Sequence, residues 1–181
     1  MPSELNDQTV RHALTAASRQ YRTLYYRPNT GNAGDALINA GFYSLCASLG
    51  IEYHEISQKF DYANIKSDEL LILPGGGYIV PYWKGGSELI ETVTRYSFPI
   101  LLLPQSVAGR EDVLRRLRPK DTLYLREKYS LNYAQSLGLD CQVALDHDLA
   151  FSADLALIDL KSPTWPPKRK LKDVRKLAYC Q

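Results

Sequence analysis

The feature that most constrains this chain is its rhythm of short apolar runs and amphipathic stretches. Residues 23–26 (TLYY), 51–56 (IEYHEI), 69–77 (ELLILPGGG), 99–107 (PILLLPQSV), 122–127 (TLYLRE) and 141–146 (CQVALD) read as strands. Between the first two, Ile38, Phe42, Leu45 and Leu49 fall on one helical face, and Gly50 stands where a left-handed closing residue is wanted. Residues 87–96, 111–117 and 130–137 also look helical. Strands with continuous apolar runs are buried on both faces, and their alternation with helices predicts an α/β domain with a mainly parallel sheet.

Composition is that of an ordinary globular chain. Its 181 residues are 45% hydrophobic and 23% charged, enough for one core. No apolar run is long enough to span a membrane, and the opening residues carry acids where a secretory signal needs an apolar core. Cys46, Cys141 and Cys180 are odd in number and widely spaced, which suits reduced thiols in a cytoplasmic protein and no metal site. The net charge of +2 conceals an asymmetry: residues 161–181 hold seven of the 22 Lys and Arg but one acid, Asp173. A basic tail of this kind reads first as a solvated terminal segment and can also touch an anionic membrane surface; no motif points to nucleic acid.

Parallel sheets bind ligands beyond the carboxyl ends of their strands. The unusual residues of this chain gather at such ends. The segment "NTGNAGDALINAG" (29–41) follows the first strand, Gly75 to Gly77 the third and Gln105–Ser106 the fourth. Arg126–Glu127 and Asp146–His147 end the next two. The glycines around Asp35 let backbone approach a ligand and free the amides of a helix N-terminus, which favours anions. The segment is neither a GxGxxG fingerprint nor a Walker loop. Each residue also has a purely structural use: Asp35 as a partner of the helix dipole, the triple glycine as a tight strand-to-helix turn, Arg126 and Glu127 as a surface ion pair, Ser130 as a helix N-cap. His12 and His54 have no neighbour in the sequence that would make a metal site, His147 between two aspartates is expected to be exposed, and no GxSxG elbow is present.

Taken together, "GNAGDALI", "LPGGGYI", "LLPQSV", "LREKYSLNYAQSLG" and "LDHDLAF" in that order resemble the N-terminal half of polysaccharide pyruvyl transferases, over about Tyr25 to Phe151. Members of that family are similar to two-domain glycosyltransferases of the GT-B type, and the resemblance implies one Rossmann-like half with helices on both faces of the sheet. They transfer pyruvate from phosphoenolpyruvate onto a sugar as a ketal during exopolysaccharide, capsule or cell-wall polymer assembly. By resemblance, Asp35 would be the catalytic carboxylate, with Asn32 and Gly34 shaping the reacting end. Gly75, Gly76 and Gly77 would line the floor, and Gln105 and Ser106 would hold sugar hydroxyls. Arg126, Glu127 and Ser130 would brace the next loop, and Asp146 would close the set. The implied donor substrate is phosphoenolpyruvate, with no further cofactor and no metal, and the acceptor a sugar or lipid-linked saccharide.

The expected organisation is an N-terminal extension (1–20), a Rossmann-like domain (21–158) and a proline-rich, basic linker or tail (159–181). In the two-domain plan the second half would follow the linker. The resemblance therefore implies a fragment, a degenerate homologue or a chain completed by a partner, in the cytoplasm or at the inner face of the membrane. Two other functions fit the same residues: a GT-B-type glycosyltransferase domain using a nucleotide sugar, and a non-catalytic subunit that binds the acceptor.

Overall fold

A computed structural model describes residues 9–154. Seven strands, all paired in parallel, form one sheet: β1 (Leu24–Tyr26), β2 (His54–Glu55), β3 (Leu70–Leu73), β4 (Gly76–Ile79), β5 (Ile100–Val107), β6 (Thr122–Leu125) and β7 (Gln142–Leu145). The order across the sheet is β2-β1-β3-β5-β6-β7, with β4 also on β5. This is the Rossmann-like α/β architecture expected from the alternating runs.

Alternation along the central strands sorts side chains into two cores. Leu71 and Leu73 of β3 point to the face covered by α3 (Lys84–Val93), α4 (Glu111–Leu114) and α5 (Lys128–Ser136). Leu70 and Ile72 point to the opposite face, where α1 (Val10–Gln20) and α2 (Ala33–Leu49) pack. Ile38, Phe42 and Leu45 of α2 are buried there, and Gly50 ends the helix at φ 63°, a left-handed conformation that costs glycine little. Within the stretch expected as an N-terminal extension, residues 10–20 form α1, and its Val10, Leu14 and Ala17 are buried in this core. The expected linker or tail at 159–181 lies outside the described residues.

The glycine cluster is not the strand-to-helix turn that its composition suggests. Leu73 pairs with Leu102 and Gly76 with Gln105, so β4 continues β3 along the same neighbour in the same register. Pro74 has no N–H for the ladder and interrupts the strand. Gly76, at φ 137°, restores it through a conformation that L side chains rarely adopt. Pro104 occupies the middle of β5, where the register with β6 shifts between Leu102 and Gln105; such an irregularity is how a central strand tolerates proline.

Candidate active-site cleft

The carboxyl ends of β1, β3 and β6 and the first residues of β4 open onto a cleft of about 930 Å³. Six of the expected residues line it: Asn32, Gly34, Asp35, Gly76, Gly77 and Arg126. The sequence brings them together because parallel strands deliver all their following loops to one edge.

The loop after β1 is held by three asparagines. Asn32 caps α2, its side-chain oxygen accepting from Gly34 N at 2.8 Å and Asp35 N at 3.3 Å. Asp35 completes the capping box, with Oδ2 accepting from Asn32 N at 2.7 Å. Its Oδ1 accepts from Asn29 Nδ2 at 2.7 Å. Asn39, buried in α2, donates to Asn29 O at 2.7 Å and accepts from the Tyr26 hydroxyl at 2.7 Å. Asp35 therefore faces the cleft with both oxygens already orienting the loop. Gly31 is small because a Cβ there would strike the Asp35 carboxylate.

Elsewhere in the lining, bare backbone at Gly77 admits the Arg126 guanidinium: a Cβ would lie 3.2 Å from its Nη2. Arg126 donates through Nε to Ser106 Oγ at 2.7 Å and through Nη1 to Asp148 Oδ2 at 2.6 Å. Glu127 approaches its Nε at 3.7 Å and accepts from Ser106 Oγ at 3.0 Å. The charge of Arg126 is thus met twice, by Glu127 and by Asp148, a residue the motif reading did not single out.

The remaining expected residues do not reach the cleft. Gly75 lies behind it, its Cβ direction only 2.8 Å from Pro104 O. Gln105 was expected to hold sugar hydroxyls. It sits within β5 rather than beyond it, is fully buried, and donates Nε2 to Pro74 O. Ser106 was given the same role, but its hydroxyl is engaged by Arg126 and Glu127. Ser130 is not the N-cap of its helix. That position is Glu127, and Ser130 lies a turn inside, buried, accepting from Val107 N at 2.8 Å and bonded to Glu127 Oε1. It ties α5 to the end of β5. Asp146 turns away from the cleft: Oδ2 accepts from Val10 N at 2.6 Å and Oδ1 from His147 N at 2.7 Å, so its carboxylate complements the start of α1. His147 is exposed, as expected of a lone histidine between two aspartates.

Residues without a motif complete the lining. Arg27, Gln58, Tyr62, Tyr78 and Trp83 all border the cleft. Trp83 is 62% exposed at its rim beside Tyr82, which is 92% exposed. Tyr78 donates to Pro74 O at 2.9 Å. Burial raises the Tyr62 and Tyr78 phenols above their usual range, and the charge of Arg27 works against that rise in both. The strand-like run at residues 23–26 offers one signal that could have found Arg27: it is the first residue past β1 at a ligand-binding edge.

A parallel sheet with a polar, glycine-walled cleft at its carboxyl edge defines a Rossmann-like domain. The family model of polysaccharide pyruvyl transferases matches residues 32–179, and the chain belongs to that family. Among solved structures, a functionally uncharacterised protein from Klebsiella pneumoniae subsp. pneumoniae has the same fold, with a TM-score of 0.72 at 23% identity. The alignment covers 82% of this chain and 57% of that one, so this chain spans a little over half of its length. No curated protein sequence matches significantly.

Proposed function

We propose that the protein takes part in transferring pyruvate from phosphoenolpyruvate to two hydroxyls of a sugar, forming a ketal in the assembly of an extracellular or cell-wall polysaccharide. The observation that carries this reading is the family match over residues 32–179, which includes the whole wall from Asn32 to Asp35 and both sides of the Gly77–Arg126 contact. In the reaction the methylene carbon of phosphoenolpyruvate gains a proton and the adjacent carbon becomes cationic. Two sugar oxygens attack that carbon in turn, and the bond to the phosphate oxygen breaks. Of the two hydroxyl protons released, one balances the proton added to carbon and the other leaves with phosphate.

Such chemistry needs a proton acceptor held in place and fixed donors for the oxyanions. Asp35 is proposed as the acceptor because Asn29 and the Asn32 amide fix its orientation at the cleft wall. Arg126 is proposed as a brace for the loop after β6, since Glu127 and Asp148 already compensate its charge. The acceptor is proposed to be a sugar or lipid-linked saccharide, met in the cytoplasm or at the membrane's inner face. None of the described helices is long and apolar enough to cross a membrane.

Incubation with phosphoenolpyruvate and a galactoside acceptor tests the reading. Mass spectrometry should show the pyruvate ketal, with one phosphate released per ketal formed. Consumption of a nucleotide sugar with phosphoenolpyruvate untouched would replace this reading with a glycosyltransferase.

A further inference from the structure

Two cationic side chains line the cleft, Arg27 and Arg126, and they differ in one respect. Arg126 is paired with Glu127 and Asp148. Arg27 has no carboxylate within ion-pair distance among the described residues, and its Nε is buried without a hydrogen-bond partner. Tyr62, on the same wall, is 8% exposed and its hydroxyl is likewise buried and unpartnered. Arg27 opposes the burial effect at both Tyr62 and Tyr78, at Tyr62 by its charge and by an approach toward the hydroxyl that falls short of a well-formed hydrogen bond, so the three groups are neighbours. A buried donor left unsatisfied is costly, by roughly 1–3 kcal/mol and more for a charged group, and its persistence in a native cleft asks for a ligand that completes it.

We propose that Arg27, assisted by the Tyr62 hydroxyl, is the oxyanion-recognition element of this cleft, taking a phosphoryl or carboxylate group of a substrate. Arg27 lies before residue 32, where the family match begins, so that match does not assign it this role. A guanidinium and a phenol present donors only toward an anion, and a guanidinium binds phosphate or carboxylate with two parallel N–H bonds. Arg27 extends from the end of β1 and Tyr62 from the single helical turn Tyr62–Asn64, so both come from backbone fixed by the fold. Asp35 and Asn32 line the same cleft as Arg27, so a substrate held by Arg27 lies in the space that the capped loop borders. This inference rests on the pyruvyl-transfer reading only for the identity of the anion. Phosphoenolpyruvate and the phosphate of a lipid-linked acceptor share the chemistry that Arg27 recognises.

Calorimetric titration of the full chain with phosphoenolpyruvate, and separately with inorganic phosphate, tests the proposal in wild type, Arg27→Gln, Arg27→Lys and Tyr62→Phe. The expected result is binding of phosphoenolpyruvate to wild type, weakened at least tenfold in Arg27→Gln. The loss should be partly recovered in Arg27→Lys and smaller in Tyr62→Phe, with the melting temperature of Arg27→Gln unchanged because no ion pair is lost. Equal binding by wild type and Arg27→Gln, or binding of neither anion by wild type, overturns the proposal. Binding of inorganic phosphate through Arg27 without selectivity for phosphoenolpyruvate keeps the anion site and points to a phosphorylated acceptor. The ketal assay fails independently of these titrations: ketal formation that is unaffected by Arg27→Gln would retain the reaction and discard Arg27.

Discussion

Asp35 combines two tasks that residue-scale measurements can separate. Its Oδ2 closes the capping box of α2 and its Oδ1 holds Asn29, so some of its value is structural. A cap of this kind contributes about 1 kcal/mol. In a domain of this size that corresponds to a fall in melting temperature of about 2–4 °C. A proton-transfer residue instead costs about 10²–10⁴ in rate when neutralised. Asp35→Asn should therefore melt a few degrees lower and lose most of its ketal-forming activity; full activity in the folded protein would leave only the cap. Gly31→Ala makes a second route to the same point, because its Cβ displaces the Asp35 carboxylate without removing it. It should lose activity alongside Asp35→Asn, read by the same assay. The cysteines test burial instead of catalysis. Burial pushes the thiols of both Cys46 and Cys141 up to about 12, so at pH 8 both are protonated and inert. Peptide mapping after iodoacetamide treatment should find both unmodified in the native protein and alkylated after denaturation.

At the scale of elements, one glycine couples the fold to the cleft. Gly41, inside α2, faces the turn Leu149–Ser152, and a Cβ there would collide with the Leu149 carbonyl. Alanine gains about 1 kcal/mol over glycine in a helix interior. Overpacking against backbone costs about 1–3 kcal/mol. Gly41→Ala should thus lower the denaturant midpoint, opposite to the usual effect of that substitution, and it should disturb Asp148, which precedes the turn and holds Arg126. At the far edge of the sheet, Asp121 is fully buried and accepts from Ile100 N at 3.0 Å and from Arg118 N and Nε at 2.8 Å each. Removing a buried partner of this kind costs about 3–5 kcal/mol. Asp121→Ala should show that loss in urea unfolding while anion binding by the folded fraction is unchanged. The elements themselves were legible wherever apolar period and length agreed, as in α2 and β5. The continuation of β3 into β4 was not, because Pro-Gly-Gly-Gly carries the same local signal whether a chain turns or resumes its strand; only the neighbouring strand decides.

On the scale of the whole molecule, the sequence predicted which edge of the sheet would carry the site, because that follows from parallel pairing alone. It could not say which side chains turn into the cleft. Those of Asn32, Asp35 and Arg126 do, with bare backbone at Gly76, while Gln105 and Asp146, equally placed along the chain, commit Nε2 to Pro74 O and a carboxylate oxygen to the first amide of α1. Arg27 carried no motif, and its lack of a carboxylate partner is visible only once the surrounding strands are assembled. Two cavities of the described domain have unlike surroundings: the cleft at the carboxyl edge, and one of about 480 Å³ at the amino edge, bordered by His12, Tyr21, Lys120 and Gln142. The claim that the first is where the substrate binds is tested most directly by titrating isotope-labelled protein with phosphoenolpyruvate and following backbone amide resonances. The amides of Arg27, Gly31 to Asp35, Gly76 to Tyr78 and Arg126 should shift together and saturate with one dissociation constant. Shifts confined to the cavity around His12 and Lys120, or none at saturating phosphoenolpyruvate, would contradict it.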